Sequence, residues 1–233
     1  MNEFAESLEL RYNRKHLATY ILTIVTLLYW FVQVITFGTH VGTSLSIYRA
    51  GGLWGSALQA DPTQLWRLFT AMFVHFSWPH ILMNMAILFL IGRLVEQIFG
   101  SIRYAAIYLA SGLFANIVTF ALNTNSLSAG ASTSIFGIFG ACATLGFFTG
   151  DPRLRELGKA FTALIIIQVI FNFFQTNVSI IGHIGGAIGG GLLAAIIPPK
   201  AYAPHIPDYV RTLATITFVF FFLFFLFFPY FHA

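Results

Sequence analysis

HILMNMAILFLIGRLVEQIFGSIRYAAIYLASGLFANIVTFAL, residues 80–122, is the stretch that decides the fold class. A helix needs about 20 mainly apolar residues to cross the hydrocarbon core of a bilayer. This stretch carries two such runs in succession, His80 to Ile98 and Ile102 to Leu122, joined by a short turn containing Gly100. The same pattern extends in both directions. Leu17 to Phe37 precedes the pair; Ser132 to Gly150, Ala160 to Phe174, Ile180 to Ile197 and Leu213 to Phe228 follow it, with Pro198, Pro199 and Pro229 read as stops. Seven spans are predicted, an all-α polytopic transmembrane bundle.

Composition agrees with that reading. The chain is 58% hydrophobic and 9% charged, against about 25% charged for soluble proteins. The net charge of +4 does not point to nucleic acid, because the basic residues stand singly between apolar runs and form no patch. The lone cysteine, Cys142, excludes an intrachain disulfide and reads as packing. Residues 38–78 form the longest non-spanning connection, with Trp54, Trp66 and Trp78 expected at headgroup level. The first span is too long for a cleaved signal peptide and lacks a small-x-small site, so it is expected to be retained.

Orientation follows from Lys and Arg, which cytoplasmic loops retain. Arg11, Arg14, Lys15, Arg93, Arg103, Arg153, Arg155, Lys159, Lys200 and Arg211 gather on one side; only Arg49 and Arg67 fall on the other. The N-terminus is expected in the cytoplasm and the C-terminus outside. No internal repeat is found, which argues against a carrier built from two related halves.

Polar groups within spans are costly in hydrocarbon and tend to mark function. His80 and Asn84 sit four apart on one face of the second span, Ser132 opens the fourth, and His183 lies just inside the sixth. With the topology above, all four lie toward the external side. A serine becomes a useful nucleophile when a base takes its proton, and histidine is the usual base. Ser132 enters its helix from a small-residue turn, near backbone N–H groups that favour an oxyanion. Asn84 and His80 add side-chain donors. Gly185, Gly186, Gly189, Gly190 and Gly191 after His183, with Gly137, Gly140 and Ala141 after Ser132, provide the small-xxx-small spacing for close helix packing.

The segments Trp66-Arg67, His75, His80-Ile-Leu-Met-Asn84, Gly130-Ala-Ser132 and the Gly-flanked His183 stand in an order that resembles the rhomboid intramembrane serine proteases, over roughly Gln64 to Ala195. The resemblance implies a six-helix core plus a seventh C-terminal helix. It also implies Ser132 as nucleophile, His183 as general base, and Asn84 and His80 with the Ser132 N–H as the oxyanion site. Trp66-Arg67 would be structural, and no acidic third member would be used; none of the eight acidic residues stands beside the expected site. Thr133 stands where the family more often has glycine, and its β-branch narrows the local backbone choices.

The expected organisation is a cytoplasmic tail over residues 1–16, a protease core over 17–197, and a linker with the seventh helix over 198–233. The expected function is a serine-type endopeptidase that cleaves transmembrane segments of other membrane proteins, with single-span or other transmembrane proteins and the lipid bilayer as partners. The alternative is a catalytically silent rhomboid-like protein that binds membrane helices for quality control or trafficking. A channel or carrier lacks support from repeats or buried carboxylates. His75, His80 and His183 do not form a ligand set: H-E-x-x-H is missing, and no Cys or carboxylate completes it, so no metal and no cofactor are expected. His75 reads as structural or interfacial; His16, His40, His205 and His232 read as solvated. The short ends suggest a minimal bacterial enzyme in the cell membrane.

Overall fold

The computed structural model describes residues 16–172 and 179–231. Among them are ten α-helices: α1 (Leu17–Phe37), α2 (Ser44–Arg49), α3 (Gly55–Ala60), α4 (Arg67–Thr70), α5 (Trp78–Phe99), α6 (Ser101–Leu122), α7 (Ser132–Phe148), α8 (Pro152–Asn172), α9 (Ile180–Ile196) and α10 (Asp208–Phe231). One antiparallel pairing joins β1 (Leu53–Trp54) to β2 (Leu127–Ser128), in the register Leu53 with Ser128 and Trp54 with Leu127. The fold is an all-α bundle of seven long helices with short pieces threaded between α1 and α5.

Four helices, α1, α5, α6 and α10, are long and apolar enough to cross a membrane on length and composition. Helices α7 and α9 are apolar but have 17 residues each, about 25 Å at 1.5 Å per residue, against a hydrocarbon core of about 30 Å. Helix α7 is buried on nearly every side, as expected for a helix apolar all round. It packs against α5, α6, α8 and α9, and its first residue is Ser132.

The glycines explain how α9 fits. A Cβ on Gly190 would collide with the Gly137 carbonyl of α7, and one on Gly186 with the Thr133 carbonyl. On the other side, a Cβ on Gly189 would stand 2.9 Å from Phe114 Cδ1, and one on Gly185 3.3 Å from Ala115 Cα, both on α6. Two glycine pairs therefore serve two neighbours, and α9 lies against both backbones at once.

Helix ends differ from the sequence expectation where polar residues extend a helix beyond its apolar run. Helix α8 begins at Pro152, not near Ala160. Its opening turns carry Arg153, Arg155, Glu156 and Lys159, and the Asp151 carboxylate accepts the Arg153 N–H at 2.9 Å as a cap. Residues 173–174, expected at its end, lie outside the described residues, as do His232 and the basic residues Arg11, Arg14 and Lys15. Helix α10 starts at Asp208, and Pro229 does not stop it: the helix runs on to Phe231. A proline so close to a helix end disturbs only the last turn, and that turn is tied to the first loop. Gln59 Nε2 donates to the Pro229 carbonyl at 2.9 Å, and the Tyr230 hydroxyl to the Leu58 carbonyl at 3.2 Å.

Two polar devices hold the remaining ends. The His16 side chain does not cap α1; the Glu96 carboxylate, from the last turn of α5, does so instead. It accepts the N–H groups of Ala18 (3.0 Å) and Thr19 (2.8 Å) and the hydroxyls of Thr19 (2.7 Å) and Ser101 (2.5 Å). A negative group belongs at a helix N-terminus, where unpaired N–H donors gather. In the first loop, buried Arg67 donates to the carbonyls of Tyr48 and Gly52 and to Gln64, while its guanidinium stacks on the Tyr48 ring at 3.9 Å.

Candidate active site

The segment before α7 is fastened at every step. The β1–β2 pairing binds Leu127 and Ser128 to the first loop. Gly130, at φ +131°, donates its N–H to the Ala71 carbonyl at 2.8 Å. The Ala131 N–H meets His75 Nε2 at 3.5 Å, while His75 Nδ1 lies 3.1 Å from the Phe73 carbonyl. Burial pushes the His75 imidazole down to about 3, with nearby His80 adding to the shift. The ring is therefore neutral, donating from Nδ1 and accepting at Nε2. Gln33 of α1 brackets the same residue, donating to its carbonyl at 2.7 Å and accepting its N–H at 3.3 Å.

Helix α7 then starts with Ser132 as its first residue and Ala131 as its N-cap, with no side-chain cap. The serine hydroxyl is thus not spent on capping. It lies 2.8 Å from His183 Nε2, across 51 positions of sequence. The His183 ring stacks on Phe136 with centroids 4.1 Å apart and planes 10° apart. Phe136 stands one turn after Ser132, so one face of α7 supplies both the hydroxyl and the surface that orients the ring. The other ring nitrogen, Nδ1, is 2.6 Å from Asn172 Nδ2 at the end of α8.

Asn84 and His80 approach from α5. The Ser77 side chain caps that helix, accepting the His80 N–H at 3.4 Å. A Cβ on Gly130 would stand 2.9 Å from His80 Nε2 and 3.7 Å from Asn84 Nδ2, so both side chains lie against the turn leading into Ser132. His80 Nδ1 accepts the Phe76 N–H at 3.5 Å, which leaves the proton of a neutral ring on Nε2. Asn84 Nδ2 is buried with no hydrogen-bond partner, an idle donor of a kind native proteins rarely leave without use. The first helical bond of α7 runs from Ile135 N–H to the Ala131 carbonyl at 3.0 Å, so the Ser132 N–H precedes the ladder.

These groups line one cavity of about 580 Å³. Its lining has no Asp, Glu, Lys or Arg among the described residues. None of the described residues form a group of three or more His, Cys, Asp or Glu placed to hold a metal ion. The arrangement sets a hydroxyl beside an imidazole nitrogen, as a nucleophile and its base require, and gathers the donors of Asn84 and His80 against the turn that leads into Ser132. Thr133 packs beside it: a Cβ on Gly182 would stand 3.1 Å from its Cγ2, and its hydroxyl is buried with no partner. Sequence reasoning missed Phe136 and Asn172. The first was detectable as an aromatic four positions after Ser132; the second as a polar residue four positions after Gln168, on a shared face of an apolar run.

The family described as the Rhomboid domain matches residues 62–200, more than half of the chain. The chain belongs to the rhomboid family. The match takes in α4 to α9, with His80, Asn84, Ser132, Phe136, Asn172 and His183, and with the long apolar helices it makes this rhomboid a multi-pass membrane protein. Rhomboid protease GluP of Bacillus subtilis is 35% identical over 192 residues, covering 82% of this chain and 37% of GluP. YdcA of the same bacterium is 30% identical over 136 residues, 58% of this chain and 68% of that protein. RHOMBOID-like protein 7 of Arabidopsis thaliana is 33% identical over 161 residues, 66% of this chain and 50% of that protein. The chain thus spans little more than a third of GluP's length.

Proposed function

We propose that this rhomboid is a serine-type intramembrane endopeptidase that cuts transmembrane segments of other membrane proteins. The observation that carries the reading is the 2.8 Å contact between Ser132 Oγ and His183 Nε2, inside a cavity that also presents the unused amide of Asn84. Ser132 attacks the scissile carbonyl while His183 takes its proton at Nε2. The tetrahedral oxyanion accepts hydrogen bonds from Asn84 Nδ2, His80 Nε2 and the Ser132 N–H. Collapse expels the amine, which takes the proton back from His183 and leaves an acyl-enzyme on Ser132. Water, deprotonated by His183, then releases the acid and regenerates the serine.

The site opens on the external side in this reading, with the N-terminus in the cytoplasm of a bacterial cell and the C-terminus outside, as the distribution of Lys and Arg supports. Residues 17–197 form the protease core, 1–16 a tail, and 198–233 a linker with the seventh helix. Substrates are single-span or other transmembrane proteins presented through the bilayer, and a segment that unwinds locally exposes its carbonyl most readily.

The test is purification in detergent with a single-span substrate, comparing wild type with Ser132→Ala and His183→Ala. Each substitution is expected to lower cleavage by at least about 1,000-fold with helix content unchanged, and to abolish labelling by a fluorophosphonate. Equal product from all three proteins would sink the protease reading and favour a helix-binding relative without catalysis.

A further inference from the structure

A serine–histidine pair leaves one question open at the far side of the imidazole. For Nε2 to accept the Ser132 proton, the neutral ring must carry its own proton on Nδ1, and a buried N–H needs an acceptor. The described residues offer no carboxylate there. The neighbour of Nδ1 is instead the side-chain amide of Asn172, 2.6 Å away. Both residues are buried, at 5% and 7% exposure. The amide nitrogen faces the ring in the structure; a half-turn of the carboxamide puts the oxygen in the same place, since its two ends have nearly the same shape. The two orientations select opposite tautomers. With nitrogen inward, Nδ1 accepts and the ring proton sits on Nε2, aimed at Ser132, where it blocks general-base action. With oxygen inward, Nδ1–H donates and the Nε2 lone pair faces the hydroxyl.

We propose that Asn172 is a positioning residue whose carboxamide oxygen accepts the Nδ1–H of His183 and holds the ring in the tautomer that can deprotonate Ser132. Phe136 fixes the plane of the ring, and Asn172 fixes which nitrogen is basic. The logic is that of the Cys-His-Asn arrangement, in which a neutral amide takes the place of the acid. The role of the tautomer in catalysis rests on the protease reading above; the hydrogen bond itself does not.

Two readouts separate positioning from mere packing. In protein with nitrogen-15 in its histidine rings, assigned by difference from His183→Ala, magnetic resonance reports which nitrogen of His183 carries the proton. The expected result is hydrogen-bonded Nδ1–H in wild type and in Asn172→Asp, which keeps an acceptor, and a shift toward Nε2–H in Asn172→Leu, which has similar size and none. Kinetically, Asn172→Leu is expected to lower kcat by about 10- to 100-fold with KM changed less than about twofold, while Asn172→Asp restores kcat to within about tenfold of wild type. A leucine variant with wild-type kcat, or equal losses in both folded variants, would overturn the proposal. If the leucine variant does not fold, the wild-type spectrum decides alone: a proton on Nε2 overturns it. If wild type neither cleaves substrate nor reacts with a fluorophosphonate, the protease reading fails, and the spectrum still judges the Asn172–His183 bond.

Discussion

His75 shows how much of this site depends on a residue that does not line its cavity. Its neutral ring links the Phe73 carbonyl to the Ala131 N–H, just before Ser132. Its folded pKa of about 3 lies below the ordinary 6.5. Between those values the unfolded chain binds a proton that the folded chain refuses. Stability from this residue is therefore fully present above about pH 6.5 and is lost as pH falls toward 3. His75→Gln keeps a donor and an acceptor but cannot titrate, so its stability is expected to fall less between pH 7 and pH 5 than that of wild type. Parallel thermal unfolding curves in detergent check this; identical pH slopes would remove His75 as the cause. At this scale the sequence was partly readable. Spacing in the second, fourth and sixth spans singled out His80, Asn84, Ser132 and His183, because polar atoms in hydrocarbon are conspicuous. The same rule could not separate them from Gln33, Glu96 and Asn116, which are also polar, also inside helices, and hold loops or helix ends. Only the tertiary approach distinguishes the two uses, and Asn172 was missed for the same reason.

At the scale of the element, the close approach of α9 to α7 sets the distance between imidazole and hydroxyl. A methyl group on Gly190 has no room beside the Gly137 carbonyl. Gly190→Ala is expected to destabilise the protein by about 1–3 kcal/mol and to weaken fluorophosphonate labelling of Ser132 at temperatures where the fold persists. Gly150→Ala is the control, since a Cβ there meets nothing within 4 Å, and its melting midpoint should match wild type. Helices were readable because long apolar runs leave few alternatives; α1 was expected at Leu17 to Phe37 and has those ends. Boundaries failed at α8 and α10, whose polar turns continue the helix past the apolar run, and where a late proline costs only one turn.

The whole molecule is closed by its far ends. Helix α10 packs on α6 through the Phe114–Phe218 stack and the Phe120–Tyr230 contact, and its last turn binds the first loop through Gln59 and Tyr230. Replacing both donors, Gln59→Leu with Tyr230→Phe, removes two hydrogen bonds worth about 1 kcal/mol each. The double variant is expected to melt earlier and to expose the first loop to protease sooner, while Ser132 still labels in the folded state. Faster labelling loss than unfolding would show that the stitch also shapes the cavity. The all-α bundle of long apolar helices was legible from hydropathy; this stitch was not, since nothing in a local window links Leu58 to Tyr230.

The carboxylate that caps α1 also carries a consequence for assembly in time. Glu96 is synthesised 78 residues after Ala18, so α1 is complete before the carboxylate that accepts its leading amides exists. It cannot seat on the bundle until translation has delivered the end of α5 and the start of α6. Helix α1 therefore completes its N-terminal hydrogen bonds only once the α5–α6 hairpin is present to supply the carboxylate.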